Sequence, residues 1–227
     1  MRSRRMLLVM TLILLLSSTS VSAAEERNPR YTKKIIPIPS SQVIVVKAQH
    51  KKSFKGTLSL REKIDGEWQT ILSDIPVVLG RQGIDKTREG DGKTPTGVFA
   101  IGKSFGTAPR PEGLRLFYAQ ASKQDYWVDD GDSLDYNKWI RYSGDPAKRW
   151  KSFERLHIPL YKYAMIIRYN MDPIIRKNRG SAIFVHIWSS PDKPTDGCVA
   201  MSETNLLLLM TKLDPDKLPS IAISAAE

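Results

Sequence analysis

The run Thr195-Asp196-Gly197-Cys198-Val199-Ala200-Met201 follows the β-prone stretch Ser181–Trp188 and holds the only cysteine of the 227-residue chain. Apolar β-branched residues alternate with other types along Ser181–Trp188, which predicts a β-strand. The eleven residues between His186 and Cys198 include two prolines and are enough to turn the chain back beside that strand. We therefore expect His186 and Cys198 to lie close together in a β-rich fold.

A thiol without a partner cysteine cannot form an internal disulfide, so Cys198 is either an inert buried side chain or a reagent. The thiolate is the nucleophilic form, and an imidazole within hydrogen-bond distance raises its fraction by accepting the proton. His186 is the candidate base. Gly197 lets a substrate approach the backbone, and the N–H of Cys198 with a neighbouring N–H would hold an oxyanion. Either side chain alone fits a core position equally well, but the combination favours nucleophilic catalysis.

Short apolar runs separated by turn residues predict a mostly β fold with a few short helices (α+β) in a single domain. Asp65-Gly66 predicts a hairpin turn, because both residue types tolerate positive φ. Ser202 and Glu203 predict the start of a helix over Leu206–Leu213, which Asp214-Pro215 would end. The expected strands are Gln42–Ala48, Gly56–Lys63, Glu67–Leu72, Pro76–Leu79, Thr96–Ile101, Tyr163–Tyr169, Ser181–Trp188 and Leu218–Ile223.

The middle of the chain, Lys103–Ile158, has the weakest periodicity and contains Trp127, Trp139 and Trp150. A long irregular stretch in a small domain predicts a lid or a groove wall. Its aromatic residues either bind an extended polymer or pack the segment against the sheet.

The N-terminus resembles an export signal. Arg2, Arg4 and Arg5 precede an apolar run too short to span a bilayer, and small residues at positions 21–24 fit a cleavage site. We interpret residues 1–23 as a signal peptide, with an uncleaved anchor as the alternative, and residues 24–41 as an extended lead-in before a domain at 42–224. The expected location is the periplasm or the cell wall, with no stable membrane insertion after cleavage.

The formal net charge is +11, and removal of the three leader arginines lowers it to +8. A basic exported protein suits an anionic wall polymer, although the same surface can serve solubility alone. Nucleic acid is excluded as a partner, because the basic residues are scattered and the compartment is wrong. Three scattered histidines and one cysteine have no ligand spacing, so we expect no metal. His50 and His157 are interpreted as structural, no organic cofactor is expected, and we expect a monomer.

Thr195–Met201, together with Phe184-Val185-His186, resembles the signature of L,D-transpeptidase catalytic domains of the YkuD type. Gly90-Asp91-Gly92-Lys93-Thr94-Pro95-Thr96-Gly97-Val98-Phe99 is similar to a second motif of that family, and the stretch from Tyr169-Asn170 to Phe184 resembles one of its branches. The resemblance covers about residues 42–224. It implies a mostly β domain in which Cys198 is the nucleophile, His186 the general base, and the backbone of Gly197 and Cys198 the oxyanion site. Asp196, Thr195, Asn170 and Trp188 are the candidate substrate-binding residues.

The resemblance also implies peptidoglycan stem peptides as substrate. The thiolate would attack the carbonyl of the third residue, release the terminal D-alanine, and pass the acyl group from a thioester to an amine. Two positions depart from the common motif: Asp196 stands where a histidine is usual, and Ala200 where an arginine is usual. Asp196 either binds substrate or is a solvated loop charge. Hydrolysis of the thioester by water, as in an L,D-carboxypeptidase or an amidase, and a catalytically inactive wall-binding module remain the alternatives.

Overall fold

A computed structural model describes residues 40–171 and 173–226, in which β-strands dominate. The predicted signal peptide at 1–23 and nearly all of the predicted lead-in at 24–41 lie outside the described residues. Within them, three short 3-10 helices occupy Pro146–Lys148, Pro159–Tyr161 and Pro215–Lys217. The strands and the one α-helix of these described ranges are β1 Gln42–Ala48, β2 Lys55–Ile64, β3 Glu67–Val78, β4 Gly97–Gly106, β5 Tyr118–Gln120, β6 Asp125–Val128, β7 Lys138–Arg141, β8 Phe153–Arg155, β9 Ala164–Ile167, β10 Phe184–Ile187, β11 Val199–Met201, α1 Glu203–Lys212 and β12 Ser220–Ala225.

Eight strands form a sheet that closes on itself in the order β12-β1-β2-β3-β11-β10-β9-β4, because β4 pairs back onto β12. The short strand β5 adds to the far end of β4. The β1–β12 and β10–β11 pairs are parallel, whereas the other pairs of the ring are antiparallel. Side chains alternate between the two faces of a strand, so every second residue of these strands points into the enclosed interior.

The interior is an apolar core to which the closed sheet and α1 both contribute. Leu206, Leu209 and Met210 of α1 are fully buried in it. The hydroxyl of Ser202 accepts a hydrogen bond from the N–H of Asn205 and so caps the helix, as its sequence predicts. The core side chains of the strands include Ile44, Val46, Leu58, Leu60, Val77, Met165, Ile167, Val185, Val199, Met201, Ile221 and Ile223.

A second apolar cluster lies on the outer face of β4, β9 and β10, where an inserted three-stranded sheet covers it. This sheet has the order β7-β6-β8. Trp127 of β6 packs edge-on against Phe184 of β10, with ring centroids 5.0 Å apart. The cluster consists of Phe105, Ala121, Trp127, Leu156, Tyr161, Ala164, Ile166, Ala182, Phe184 and Cys198.

The predicted fold class is confirmed: the described chain is mostly β, with one α-helix and a few 3-10 turns. The Asp65-Gly66 turn is also confirmed, with φ of 50° and 89° joining β2 to β3. Two expected strands, Glu67–Leu72 and Pro76–Leu79, are one continuous strand, β3. Its polar interruption is absorbed by a register shift opposite Leu58 to Leu60 and by a positive φ at Asp74.

The irregular segment expected over Lys103–Ile158 is partly wrong, because it contains β5 to β8. Trp127 and Trp150 are 2% exposed, so these two rings pack the insertion and are closed to a polymer. Only Trp139 is half-buried, with a lysine ammonium 4.0 Å above its ring. Among the described residues, no helix has both the length and the apolar character needed to cross a membrane.

Candidate active site

The parallel pair β10–β11 places His186 and Cys198 on the same face of the sheet. The register sets Val185 opposite Val199 and His186 opposite Ala200, with Cys198 directly before β11. Val185 and Val199 both point into the inner core. Their neighbours therefore point outward, and Cys198 accordingly belongs to the outer cluster.

The sulfur of Cys198 is hydrogen-bonded to backbone on both sides. The N–H of Phe184 donates to Sγ at 3.3 Å, and the thiol donates to the carbonyl of Ala182 at 3.3 Å. The residue is only 8% exposed. The thiol is thus held against β10, at the boundary between the closed sheet and the insertion.

His186 presents the tautomer that a general base requires. Its Nδ1 lies 2.8 Å from the carbonyl oxygen of Ile187, and because a carbonyl only accepts, Nδ1 carries the proton. Nε2 is therefore left with its lone pair. The ring packs edge-on against Tyr161, with centroids 5.3 Å apart, and the residue is 6% exposed. Among the described residues no hydrogen bond joins the imidazole to the sulfur of Cys198.

Burial keeps both groups neutral in the substrate-free chain. It raises the pKa of the Cys198 thiol to about 12; the Glu154 carboxylate adds to the rise, while the Phe184 N–H and the Lys86 ammonium oppose it. Burial also lowers the pKa of His186 to about 4, against the hydrogen bond to Ile187. The pair is thus a thiol and a neutral imidazole, not a preformed thiolate–imidazolium pair.

The turn before Cys198 is built by the hydroxyl of Thr195. This hydroxyl donates to the carbonyl of Cys198 at 2.7 Å and accepts the N–H of Gly197 at 3.1 Å. Gly197 has a φ of +143°, and a Cβ there would lie 2.8 Å from the carbonyl oxygen of Lys93, so only glycine fits. Thr195, predicted to bind substrate, is placed in the internal hydrogen bonding of the loop.

The oxyanion site expected from Gly197 and Cys198 is only half available in this conformation. The Gly197 N–H is engaged by the Thr195 hydroxyl. No hydrogen bond within the described part of the chain uses the N–H of Cys198. Sequence reasoning missed this difference, because it depends on the rotamer of Thr195.

The second sequence motif, residues 90–99, folds against the cysteine loop. The hydroxyl of Thr94 accepts the N–H of Gly80 at 2.8 Å and lies 3.4 Å from the carbonyl of Cys198, to which it donates. Thr94 and Thr195, more than 100 positions apart in the chain, thus donate hydrogen bonds to the same carbonyl. The two motifs are therefore parts of one site.

Asp91 of this motif forms a buried ion pair with Lys86, at 2.9 Å, with side chains 7% and 2% exposed. Its carboxylate also accepts the N–H groups of Thr87, Arg88 and Lys93 at 2.8 to 3.1 Å. Burial by itself would raise the pKa of Asp91, but these four hydrogen bonds together lower it to about 2. The carboxylate is therefore ionised and fully engaged.

The other predicted substrate-binding residues lie around the site but do different things. Asp196 is 83% exposed and forms an ion pair with Arg81. Asn170 closes a loop, donating to the carbonyls of Arg176 and Gly180 at 2.8 and 2.9 Å. Trp188 follows β10 and packs against the inner core. None of these contacts involves Cys198 or His186.

Asn137 is a buried residue that sequence reasoning missed. Its Oδ1 accepts the indole N–H of Trp127 at 2.9 Å and the N–H of Ala182 at 3.2 Å. Its Nδ2 donates to the carbonyls of Tyr169 and Asn170. It thereby fixes the inserted sheet to the strand segment whose carbonyl accepts the Cys198 thiol. Its φ of 58° is a left-handed value that asparagine tolerates, but neither this angle nor the four contacts can be read from the sequence.

Tyr161 and Glu154 form the wall behind the imidazole and were also missed. The Tyr161 hydroxyl donates to Glu154 at 2.7 Å, and its ring packs against His186 and Phe184. Burial raises the pKa of Glu154 to about 7. Nothing local in the sequence pairs positions 154 and 161, because a 3-10 turn brings them together. The described residues contain no group of three or more His, Cys, Asp or Glu that could hold a metal ion.

The L,D-transpeptidase catalytic domain (YkuD) family model matches residues 43–219. Among solved structures, the chain is similar to the helical cell shape determining protein Pgp2 from Campylobacter jejuni (16% identity, TM-score 0.45) and to Bd1075 from Bdellovibrio bacteriovorus (18% identity, TM-score 0.40). The alignments cover 83% and 82% of this chain but 49% and 48% of those chains, so it spans about half their length. A search of the curated proteins finds no match. The family match extends over most of the chain and includes both motifs, and the chain therefore belongs to the L,D-transpeptidase catalytic domain family.

Proposed function

We propose that this chain is an exported cysteine acyltransferase that acts on peptidoglycan stem peptides. The observation that carries the proposal is the placement of Cys198 and His186 on one face of adjacent parallel strands, with Nε2 of the imidazole unprotonated. Membership of the L,D-transpeptidase catalytic domain family supports the substrate class. The periplasm or the cell wall is the matching location.

The neutral pair suits a concerted start to the reaction. The thiol turns from the Ala182 carbonyl towards Nε2 of His186, which takes the proton as sulfur attacks the carbonyl carbon of the third stem-peptide residue. The free N–H of Cys198 donates to the developing oxyanion. The C–N bond to the terminal D-alanine then breaks, and the imidazolium returns the proton to the leaving amine. The product is a thioester on Cys198.

The fate of the thioester defines the reaction. An amine of a second stem peptide gives a cross-link, whereas water gives a shortened peptide. His186 can act in either reaction, because Nε2 is again the base that deprotonates the attacking amine or water. Transfer is our proposal, and hydrolysis is the alternative outcome.

The test is incubation of the purified protein, without residues 1–23, with disaccharide-tetrapeptide, followed by mass spectrometry. We expect a covalent dimer and free D-alanine. Cys198→Ala and His186→Ala should abolish both products, while His157→Ala, at an exposed histidine, should leave them unchanged. A trimmed monomer without dimer would replace transfer by hydrolysis, and turnover by Cys198→Ala would refute the mechanism.

One observation favours a second candidate, a binding module without activity: the thiol is buried and its pKa is raised to about 12. Such a module would retain peptidoglycan without releasing D-alanine. A thioester adduct of the intact protein, trapped in acid and detected by mass, would contradict it. Binding of the polymer with no adduct and no product would support it.

A further inference from the structure

A polar depression of about 440 Å³ lies beside the cysteine loop, and nothing in the proposed reaction has yet used it. Arg81, Arg88 and Lys93 supply its cationic side chains, with Gln82, Thr87, Gly90 and Asp91 completing the wall. Its volume is that of a small-ligand site, large enough for one or two amino-acid residues.

The depression shares its wall with the loop that precedes the nucleophile. The N–H of Arg81 donates to the carbonyl of Thr195 at 2.8 Å, and the Arg81 guanidinium pairs with Asp196. The carbonyl of Lys93 packs so closely on Gly197 that no Cβ fits between them. A ligand in the depression is therefore next to residues 195–197.

The charge of the depression is positive. Its one carboxylate, Asp91, is neutralised by the buried ammonium of Lys86 and has its oxygens occupied by backbone N–H groups. Asp196 forms an exposed ion pair with Arg81. Such a pair contributes little free energy, so a ligand carboxylate can replace Asp196 as the partner of Arg81. Arg88 and Lys93 form no ion pair among the described residues. The natural ligand for such a surface is a carboxylate, which arginine binds through two parallel hydrogen bonds.

The cysteine strand offers no cation for this purpose. Position 200, which faces His186 across the parallel pair, is an alanine with no exposed surface. A carboxylate bound near the nucleophile must therefore be held by residues outside the Thr195–Met201 run. The depression meets that requirement from the adjoining motif.

We propose that this depression binds the C-terminal carboxylate of the donor stem peptide, an inference that rests on the proposed function. A single residue separates the scissile carbonyl from that carboxylate, and one residue reaches at most ~3.6 Å. The anchoring cations must then adjoin the loop that carries the nucleophile, as Arg81 and Lys93 do. This anchor makes the site select stem peptides that end one residue beyond the cleaved bond.

The test measures binding without turnover. Full-length chain carrying Cys198→Ala is titrated with a tetrapeptide stem ending in a free carboxylate and with the same peptide ending in a carboxamide. We expect the acid to bind at least about tenfold more tightly than the amide, the scale of one charge-assisted pair. Arg88→Gln with Lys93→Gln should remove that preference and leave the affinity for the amide unchanged.

The matched control is Arg61→Gln with Lys47→Gln, two exposed cations on β2 and β1 away from the depression. This control should keep the preference. Equal affinity for acid and amide in the parent chain, or a preference that survives in the Arg88 and Lys93 variant, would overturn the inference. Failure of the proposed reaction would instead appear as absent D-alanine release in the intact enzyme, whatever the binding result.

Discussion

At the scale of the residue, the central property of Cys198 is that it is held as a neutral thiol. Its alkylation by iodoacetamide in the native chain should rise about tenfold per pH unit from pH 7 to pH 10, because burial raises its pKa to about 12. In urea, the alkylation rate of the same cysteine should stop rising once the pH exceeds the free thiol pKa of ~8.5. Alkylation rates measured by intact mass provide the comparison, and a native plateau below pH 9 would contradict the neutral thiol.

Glu154 gives a second residue-scale prediction, on stability. Its pKa is raised by burial from 4.5 to about 7, so between these values the folded chain binds more protons than the unfolded chain. The free energy of unfolding should therefore fall as pH rises from 5 to 8, by no more than about 3 kcal/mol from this group. Glu154→Gln should flatten that fall in urea titrations.

The control for this experiment is Glu67→Gln, at an exposed position beside the Asp65-Gly66 turn. It should keep the pH dependence of the parent chain. An identical pH dependence in Glu154→Gln and the parent would show that the carboxyl is ionised in the folded state at neutral pH.

At the scale of the element, the loop 195–197 is shaped by one hydroxyl. Thr195→Val removes a donor to the Cys198 carbonyl and an acceptor for the Gly197 N–H. We therefore expect it to lower the free energy of unfolding by about 1–3 kcal/mol. Amide hydrogen exchange at Gly197 should accelerate, while Thr195→Ser should restore the parent rate. If Thr195 instead acts only on substrate, exchange at Gly197 will be the same in all three chains.

The elements themselves were predictable wherever their signals are local. The β-prone run Gln42–Ala48 predicts a strand, Asp65-Gly66 a turn and Ser202 a helix cap, and the structure has all three. The candidate pair was predictable for a similar reason, since one short connection joins β10, which contains His186, to Cys198 directly before β11. Their relation could be inferred from chain reach alone.

What escaped prediction is long-range. The hydrogen bond from Thr94 to the Cys198 carbonyl, the four contacts of Asn137, and the pair of Glu154 with Tyr161 depend on tertiary packing of the insertion. The protonation states of Cys198 and His186 could not be predicted for the same reason, because they follow from desolvation that only the folded chain creates. A local pattern carries no measure of that burial.

At the scale of the whole molecule, β12 holds the closed sheet together by pairing with both β1 and β4. Ile221→Ala, at a fully buried position of β12, should lower the free energy of unfolding by about 2–5 kcal/mol. The unfolding midpoint followed by tryptophan fluorescence, to which Trp127 and Trp150 of the insertion contribute, should shift by the same amount as the midpoint followed by far-UV circular dichroism. Ser224→Ala is the control and should change stability by less than about 0.5 kcal/mol.

The partnership of Val43 with Ser220 has a consequence for the timing of folding. These two residues lie more than 170 positions apart, and contacts between residues so remote along the polypeptide form slowly. During synthesis the closed sheet therefore has to wait for β12, and β1 keeps one unpaired edge until that strand is made.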